Sequence, residues 1–191
     1  AFFFFFAILG HLGEDIVAAN SVVGIVRNLS TVLCFGFAYG GAIVLGKYMG
    51  AGNLSLAEKN ASRLVRLTIC TGFFGALLII CLRPIMPYLA NLNETAAHYR
   101  NIIMYINALS VIGASVNTVL ICGVFRAGGD SKFGFIADTI NMWGVSVPLG
   151  LLAAFVFKLP PLWVYFILYL DEFEKMPFVI AHYLKKGWLK N

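Results

Sequence analysis

Apolar stretches of about 20 residues recur along this sequence, each long enough to cross the roughly 30 Å hydrocarbon core of a bilayer as a helix. In all, 60% of the 191 residues are apolar, 12% are charged, and the mean hydropathy is +0.85. Ordinary soluble domains carry roughly 25% charged residues. The sequence therefore predicts an all-α polytopic membrane protein.

Charged residues and Gly/Pro-rich breaks divide the chain into six apolar segments, which predict a six-helix bundle. The first segment, residues 1–9, is too short to span a bilayer and has no initiating methionine. We therefore expect an incomplete first helix and a chain that is a fragment. The other segments lie at residues 14–49, 64–82, 102–125, 133–157 and from residue 162 to the start of KKGWLKN.

The distribution of basic residues over alternate loops predicts the orientation in the membrane. One side receives Lys47, Lys59, Arg63, Arg66, Arg126, Lys132, Lys185, Lys186 and Lys190, and the other receives Arg83, Arg100 and Lys158. The richer side is expected to be cytoplasmic, which places the C-terminus inside. The net charge of +5 is interpreted as this topology signal, because no basic patch with interleaved aromatic residues points to nucleic acid.

The stretch YLDEFEKMPFV places charges inside the last apolar segment. Residues 162–170 advance about 13 Å as a helix, so the charges should lie near the bilayer midplane. Asp171, Glu172, Glu174 and Lys175 fall on one arc of about 160°, and Lys175 is expected to pair with Asp171 and Glu172. The acids outnumber the base. Two interpretations stay open: a structural ion pair in a water-filled vestibule, or a site for a proton or coupling ion.

The fifth segment carries a second polar stripe. Asp138, Asn141, Val145 and Pro148 share one helix face, and Pro148 leaves a backbone carbonyl one turn earlier without its helical partner. This combination would suit a polar cavity. Alternatively, Asp138 lies close enough to the cytoplasmic end to pair with a basic residue near the interface, Lys132 or Arg126.

Two further stripes of small residues are typical of helix-packing seams. Asn107, Ser110, Ala114 and Asn117 follow one face of the fourth segment, and their polar groups also make Asn107 and Asn117 cavity candidates. On the second segment, small residues recur at Gly36, Gly40, Gly46 and Gly50.

No motif for metal binding, covalent catalysis or nucleotide hydrolysis is visible. The cysteines Cys34, Cys70, Cys81 and Cys122 lie inside apolar runs without a CxxC pair, and the three histidines are far apart. We therefore expect no metal, no cofactor and no enzymatic activity.

Several motifs together resemble the second half of multidrug and toxic compound extrusion (MATE) transporters. In order they are GEDIVAANSVVGIV, LGKYMGAGNLSLAEKNASR, FRAGGDSKFGFIADTINMWGVSVPLG, and LYLDEFEK followed by KKGWLKN. The most specific pieces are the Gly-Ala-Gly-Asn loop and the Arg-x-Gly-Gly-Asp loop, the latter followed by a Trp and a Pro-Leu in the next span. The resemblance covers nearly all 191 residues.

This resemblance implies a fold and an activity. Residues 1–191 would form the C-terminal lobe, helices 7–12, of a twelve-helix transporter whose N-terminal lobe is absent from this chain. The whole protein would sit in the lipid bilayer of a bacterial plasma membrane. It would export organic cations or other amphiphilic drugs in exchange for H⁺ or Na⁺.

The sequence departs from the family pattern at the expected ion site. Members with a cation site in this half carry an acid in helix 7 and another in helix 10. The first position would precede Ala1, and the second corresponds to Ser115, which cannot contribute a negative charge. Coupling could therefore depend on the absent lobe, on Asp138 or on the cluster at residues 171–175.

Asp138 and Asn141 are the preferred cavity residues under this hypothesis, with one carboxylate alternating between coupling ion and substrate. Three alternatives remain. A lipid-linked oligosaccharide flippase of the same superfamily would need a long basic cavity, and a half-length scaffold subunit would not transport. An intramembrane enzyme would need paired catalytic groups at matching depth, for which Asp138 and residues 171–175 are the only candidates.

Overall fold

A computed structural model describes residues 2–189, which form helices and connecting turns with no strand among them. Lys190, which counted toward the cytoplasmic side, lies outside the described residues. The helices are α1 (Phe2–Leu12), α2 (Glu14–Gly50), α3 (Leu54–Leu82), α4 (Met86–Leu89), α5 (Glu94–Phe125), α6 (Ser131–Val156), α7 (Pro161–Tyr169) and α8 (Asp171–Leu184). The predicted all-α fold is confirmed.

Four of these helices, α2, α3, α5 and α6, are long and apolar enough to cross a membrane, within the range that the structure describes. Helix α3 begins at Leu54, a turn or more before its apolar segment, because Ala57 and Ala61 in its polar first turns are fully buried against neighbouring helices. Helix α5 also begins early, at Glu94, where the side chain of Asn93 accepts a hydrogen bond from the backbone N–H of Ala96 at 2.7 Å.

Helix α6 contains two wide π-helical turns, Met142–Ser146 and Leu152–Val156, on either side of Pro148. Proline has no N–H and its ring collides with the carbonyl one turn earlier, so a regular α-helix cannot continue past it unchanged. The π turns absorb this mismatch and keep the helix continuous. The π turns show that the backbone of α6 is irregular around Pro148; the unpartnered carbonyl expected one turn before it stays a prediction.

The predicted last segment is not one helix but two, because α7 ends at Tyr169 and α8 begins at Asp171. Leu170 between them is still close to helical, and its carbonyl accepts from the N–H groups of Phe173 and Glu174 at 2.9 and 3.1 Å. The interruption places Asp171, a charged residue, at the first turn of the second piece.

Helix α5 forms the centre of the bundle. Within its most apolar stretch 72% of residues are buried, compared with 22% in α2. Two apolar clusters surround it, one containing Ile16, Ile79 and Leu168 and the other containing Leu45, Phe125 and Trp188. Polar side chains of α2, α5, α6 and α8 occupy the level between the clusters, and this polar layer holds the candidate site.

The glycine stripe on α2 does not pack within this chain. A Cβ placed on Gly36, Gly40, Gly46 or Gly50 would meet no described atom within 4 Å. Close helix contacts are made instead by Gly75, where a Cβ would lie 3.0 Å from the carbonyl oxygen of Ser30. The seam predicted for α2 therefore has no partner among residues 2–189 and stays a prediction.

Candidate cation cavity

A cavity of about 390 Å³ lies in the polar layer, between α2, α5, α6 and the junction of α7 with α8. Its walls carry three carboxyl groups and two cationic groups: Asp138, Asp171 and Glu172, with Arg27 and Lys175. Four of these five, Asp138, Asp171, Glu172 and Lys175, were candidates from the sequence. The structure thus brings Asp138 of α6 together with the charged start of α8.

Lys175 bridges two carboxylates from different helices. Its Nζ lies 3.1 Å from Oε2 of Glu172 and 3.2 Å from Oδ1 of Asp138. The predicted pairing with Glu172 is present, whereas Asp171 lies beyond salt-bridge distance of Lys175. Asp138 pairs with Lys175, and among the described residues it forms no salt bridge to Lys132 or Arg126; its side chain is 46% exposed and borders the cavity.

Asn117, on α5, forms two further hydrogen bonds to Glu172. Its Nδ2 donates to the backbone carbonyl of Glu172 at 2.7 Å and to Oε2 of the same residue at 3.0 Å. Asn117 is 2% exposed, and its Oδ1 is buried without a hydrogen-bond donor among residues 2–189. A buried amide oxygen without a donor is costly, so this atom is an acceptor that a cationic or N–H-bearing ligand could satisfy.

Asp171 is the least compensated acid of the cavity. The residue is 8% exposed, and its carboxylate forms neither a salt bridge nor a side-chain hydrogen bond within the described part of the chain. Its backbone carbonyl accepts from Nδ2 of Asn141 at 3.0 Å. Asn141 therefore contacts the start of α8; it lines an adjacent cavity of about 370 Å³, which Lys175 also borders, and not the cavity that holds Asp171.

The polar stripe on α5, which runs from Asn107 to Asn117, packs against the last two helices, α7 and α8. Nδ2 of Asn107 donates to the hydroxyl of Tyr165 at 2.7 Å, and this hydroxyl donates to Oδ1 of Asn20 at 3.0 Å. Asn107 lies outside the cavity. Glu174, on the charged arc of α8, is partly exposed and does not line the cavity either.

Arg27 is the site residue that the sequence did not indicate. It lies within the 37-residue helix α2, and its Nη2 is 4.0 Å from Oε1 of Glu172. The guanidinium carbon also lies 5.1 Å from the centre of the Tyr169 ring. The excess of acids on α8 left three possibilities open, a protonated carboxyl, contact with water or a cation from another element, and Arg27 is such a cation facing Glu172.

The position matching the family's helix-10 acid is occupied by a packing residue. Ser115 is 1% exposed, its Oγ donates to the carbonyl of Ile112 at 2.8 Å, and it lies against Gly72 of α3. No cluster of three or more metal-binding side chains occurs among residues 2–189. One histidine, His182, pairs instead with a carboxylate: its Nε2 lies 2.7 Å from Oδ2 of Asp130, near the end of α8.

The shared lysine places Asp138 and Glu172 at one depth, as an intramembrane enzyme would also require. Both carboxylates are engaged by Lys175.

Curated relatives of this chain are extrusion proteins. Multidrug and toxin extrusion protein 1 of Xenopus tropicalis is 22% identical over 180 residues, covering 94% of this chain and 31% of the relative. The Pongo abelii protein of the same name is 24% identical over 153 residues, covering 78% and 26%. Multidrug and toxin extrusion protein 2 of Mus musculus is 25% identical over 148 residues, covering 75% and 25%. The chain thus spans about a third or less of the relatives it matches.

No solved structure matches the chain. The family model MatE matches residues 1–152, which include Arg27, Asn117 and Asp138 but stop before α7 and α8. Most of the chain is covered by this match, and its apolar helices are those of a multi-pass membrane protein. The chain therefore belongs to the MatE family, whose named relatives are multidrug and toxin extrusion transporters.

Proposed function

We propose that this chain is the C-terminal lobe of an efflux antiporter that exports organic cations in exchange for H⁺ or Na⁺. The observation that carries the proposal is the charge of the cavity. Three carboxylates against two cationic groups leave one negative charge when all five are ionised. Because an uncompensated charge inside a membrane protein is costly, the cavity favours a bound cation.

Asp171 is the group to which we assign the coupling ion. Glu172 and Asp138 already share Lys175, whereas the carboxylate of Asp171 has no ion-pair partner among residues 2–189. A proton or a sodium ion on Asp171 would remove the excess charge, and an organic cation would do the same. Either cation lowers the affinity for the other, which is the reciprocal coupling that antiport needs.

Asp138, Glu172 and Lys175 have a positioning role in this proposal. The lysine connects α6 to α8, so a movement of one helix is transmitted to the other. The buried Oδ1 of Asn117 would accept a hydrogen bond from substrate or contact the ion. The cytoplasmic C-terminus, the plasma membrane location, the bacterial source and the absent N-terminal lobe as partner remain expectations of the same proposal.

The acidic character of the cavity favours this function over a lipid-linked oligosaccharide flippase. Such a substrate carries phosphate groups, which bind to arginine and lysine clusters. In the cavity both cationic groups face carboxylates, Lys175 at 3.1 Å and Arg27 at 4.0 Å from Glu172.

Transport by the full-length protein in liposomes tests the proposal. Export of a fluorescent organic cation is measured under an imposed proton gradient and then under a sodium gradient. We expect export to follow one of the two gradients and Asp171→Asn to abolish gradient-driven export. The matched control is Glu174→Gln, which neutralises an acid on the same helix outside the cavity and should leave export unchanged.

Two results would contradict the assignment. Gradient-driven export by Asp171→Asn at the rate of the unmodified protein would remove Asp171 as the coupling group. Absence of cation export under both gradients would overturn the transport proposal itself.

A further inference from the structure

We propose that Arg27 is a built-in cation that occupies the substrate's place in the cavity and is displaced when an organic cation binds. This inference rests on the proposed function and adds to it the residue that sets affinity and charge preference. It makes Arg27 a competitor of substrate and not a ligand for it.

The first argument is the set of contacts that Arg27 makes. Its guanidinium lies over the ring of Tyr169, 5.1 Å from the centroid, and 4.0 Å from the carboxylate of Glu172. An aromatic face and a carboxylate are the two groups that proteins use to hold organic cations. Arg27 thus makes the contacts that a cationic substrate would make.

The second argument is that Arg27 is held loosely. The guanidinium has five N–H donors. None of them forms a hydrogen bond within 3.5 Å to another residue of the range 2–189, and the nearest carboxylate oxygen is at 4.0 Å. Lys175, by contrast, has two carboxylate oxygens within 3.2 Å. Of the two cations in the cavity, Arg27 is the one that can leave.

The third argument is that a neighbouring cavity can accommodate the displaced guanidinium of Arg27. A second cavity of about 410 Å³ lies beside the first, between α1, α2 and α7, and Arg27 lines both. Asn20 and Ser21 provide polar groups in the second cavity. A change of side-chain rotamer can therefore move the guanidinium from one cavity to the other without moving the backbone.

The fourth argument is that the surface Arg27 would uncover is rigid. Tyr169 stacks on Tyr165 with ring centroids 4.4 Å apart and planes at 16°. Its hydroxyl donates to Oδ1 of Asn20 at 3.4 Å. The ring stays in place when Arg27 moves, and the displaced cation leaves a prepared aromatic face beside Glu172.

Removal of Arg27 changes the charge of the cavity in a predictable way. With all groups ionised, three carboxylates and Lys175 alone leave two negative charges where one was present. Monovalent organic cations should then bind more tightly, because they no longer compete with a tethered cation. Divalent organic cations should gain more than monovalent ones.

Binding of tetraphenylphosphonium to the full-length protein in detergent tests the inference. This aromatic monovalent cation has no hydrogen-bond donor, so it reports on the aromatic and carboxylate contacts alone. We expect Arg27→Gln to lower its Kd about 5-fold or more. The matched control is Arg126→Gln, which removes a guanidinium 5.7 Å over the ring of Tyr39, outside the cavity, and should leave the Kd unchanged.

Chemical rescue separates competition from a structural effect. In Arg27→Ala, added guanidinium chloride at millimolar concentration should raise the apparent Kd of tetraphenylphosphonium, because free guanidinium refills the place of the missing group. The same addition should have little effect on the unmodified protein. Arg27→Lys, which keeps the positive charge on a flexible side chain, should retain most of the competition.

The outcomes distinguish the two proposals. Binding by the unmodified protein with an unchanged or higher Kd in Arg27→Gln overturns the role of Arg27 and leaves the cation site in place. Binding only after removal of Arg27 supports the inference. Absence of binding in both proteins overturns this inference together with the proposed function.

Discussion

The side-chain amide of Asn117 donates to both the backbone carbonyl and the carboxylate of Glu172, at 2.7 and 3.0 Å. Asn117, on the central helix α5, thereby fixes the position of α8 along the bundle and its rotation about its own axis. It does so at the point where α8 begins. Lys175 follows Glu172 by three residues, so the same contact positions the lysine that reaches Asp138.

Asn117→Leu should reduce the free energy of unfolding by about 1–3 kcal/mol, because it leaves the buried acceptors of Glu172 without this donor. Thermal unfolding of the full-length protein in detergent measures the change. Asn60→Ala is the control, since Asn60 bonds only within its own helix region, to the carbonyl of Leu56 at 2.9 Å, and should change stability by about 0.5 kcal/mol or less. Equal stability of the two variants would contradict the role of Asn117.

Lys175→Met should destabilise the protein by about 3–5 kcal/mol, because Glu172 and Asp138 would lose the cation between them. Adding Asp138→Asn to this variant removes one uncompensated charge and should recover part of the loss. A double-mutant cycle measured by denaturant unfolding should give a coupling energy of about 0.5–1 kcal/mol, because the Asp138 side chain is 46% exposed and water screens the pair. If the changes in unfolding free energy of the two single variants simply add in the double variant, Lys175 and Asp138 do not interact.

Gly75→Ala should destabilise the bundle by about 1–3 kcal/mol through overpacking. A Cβ at Gly75 would lie 3.0 Å from the carbonyl oxygen of Ser30 and 3.1 Å from Cγ1 of Val111, so three helices would have to separate. Gly36→Ala meets no described atom and should be neutral or slightly stabilising, because alanine is the better helix former. Thermal unfolding compares the two variants, and a stable Gly75→Ala protein would contradict the packing described for α3.

Cys122 should react with a cationic methanethiosulfonate reagent, because it lines the same cavity as Asp138. Tetraphenylphosphonium at ten times its Kd should slow the labelling about tenfold, in proportion to site occupancy. Mass spectrometry of the labelled peptides measures the rate. Cys34, which is 1% exposed, should stay unmodified, and an inert Cys122 would mean that the cavity does not admit a cation.

Several features were predictable because they depend on local sequence. Lengths of apolar runs indicated the helical spans, but the division of the last span into two helices at Leu170 was not predicted. Asp138 was found from its place on a polar stripe. The boundaries of α3 and α5 were less accurate, because their polar first turns are held in helical form by burial of alanines and by the Asn93 cap, which a hydropathy criterion does not detect.

The site was only partly predictable for a different reason. The excess of acids on α8 was compatible with a cation from another element, but spacing along the chain could not identify Arg27. Asn141 and Asn117 share similar stripes in sequence, yet Asn117 lines the cavity and Asn141 supports it from behind.

The sequence by itself determined that this protein is a bundle of membrane helices with ionisable residues buried in it, because hydrophobicity and helical periodicity are properties of each segment. Tertiary structure decided which of those residues meet. Asp138 pairs with Lys175 and Arg27 faces Glu172 and Tyr169 because of how the helices are rotated and how they cross. The rotations and crossing angles of the helices depend on packing between segments, and no single segment encodes that packing.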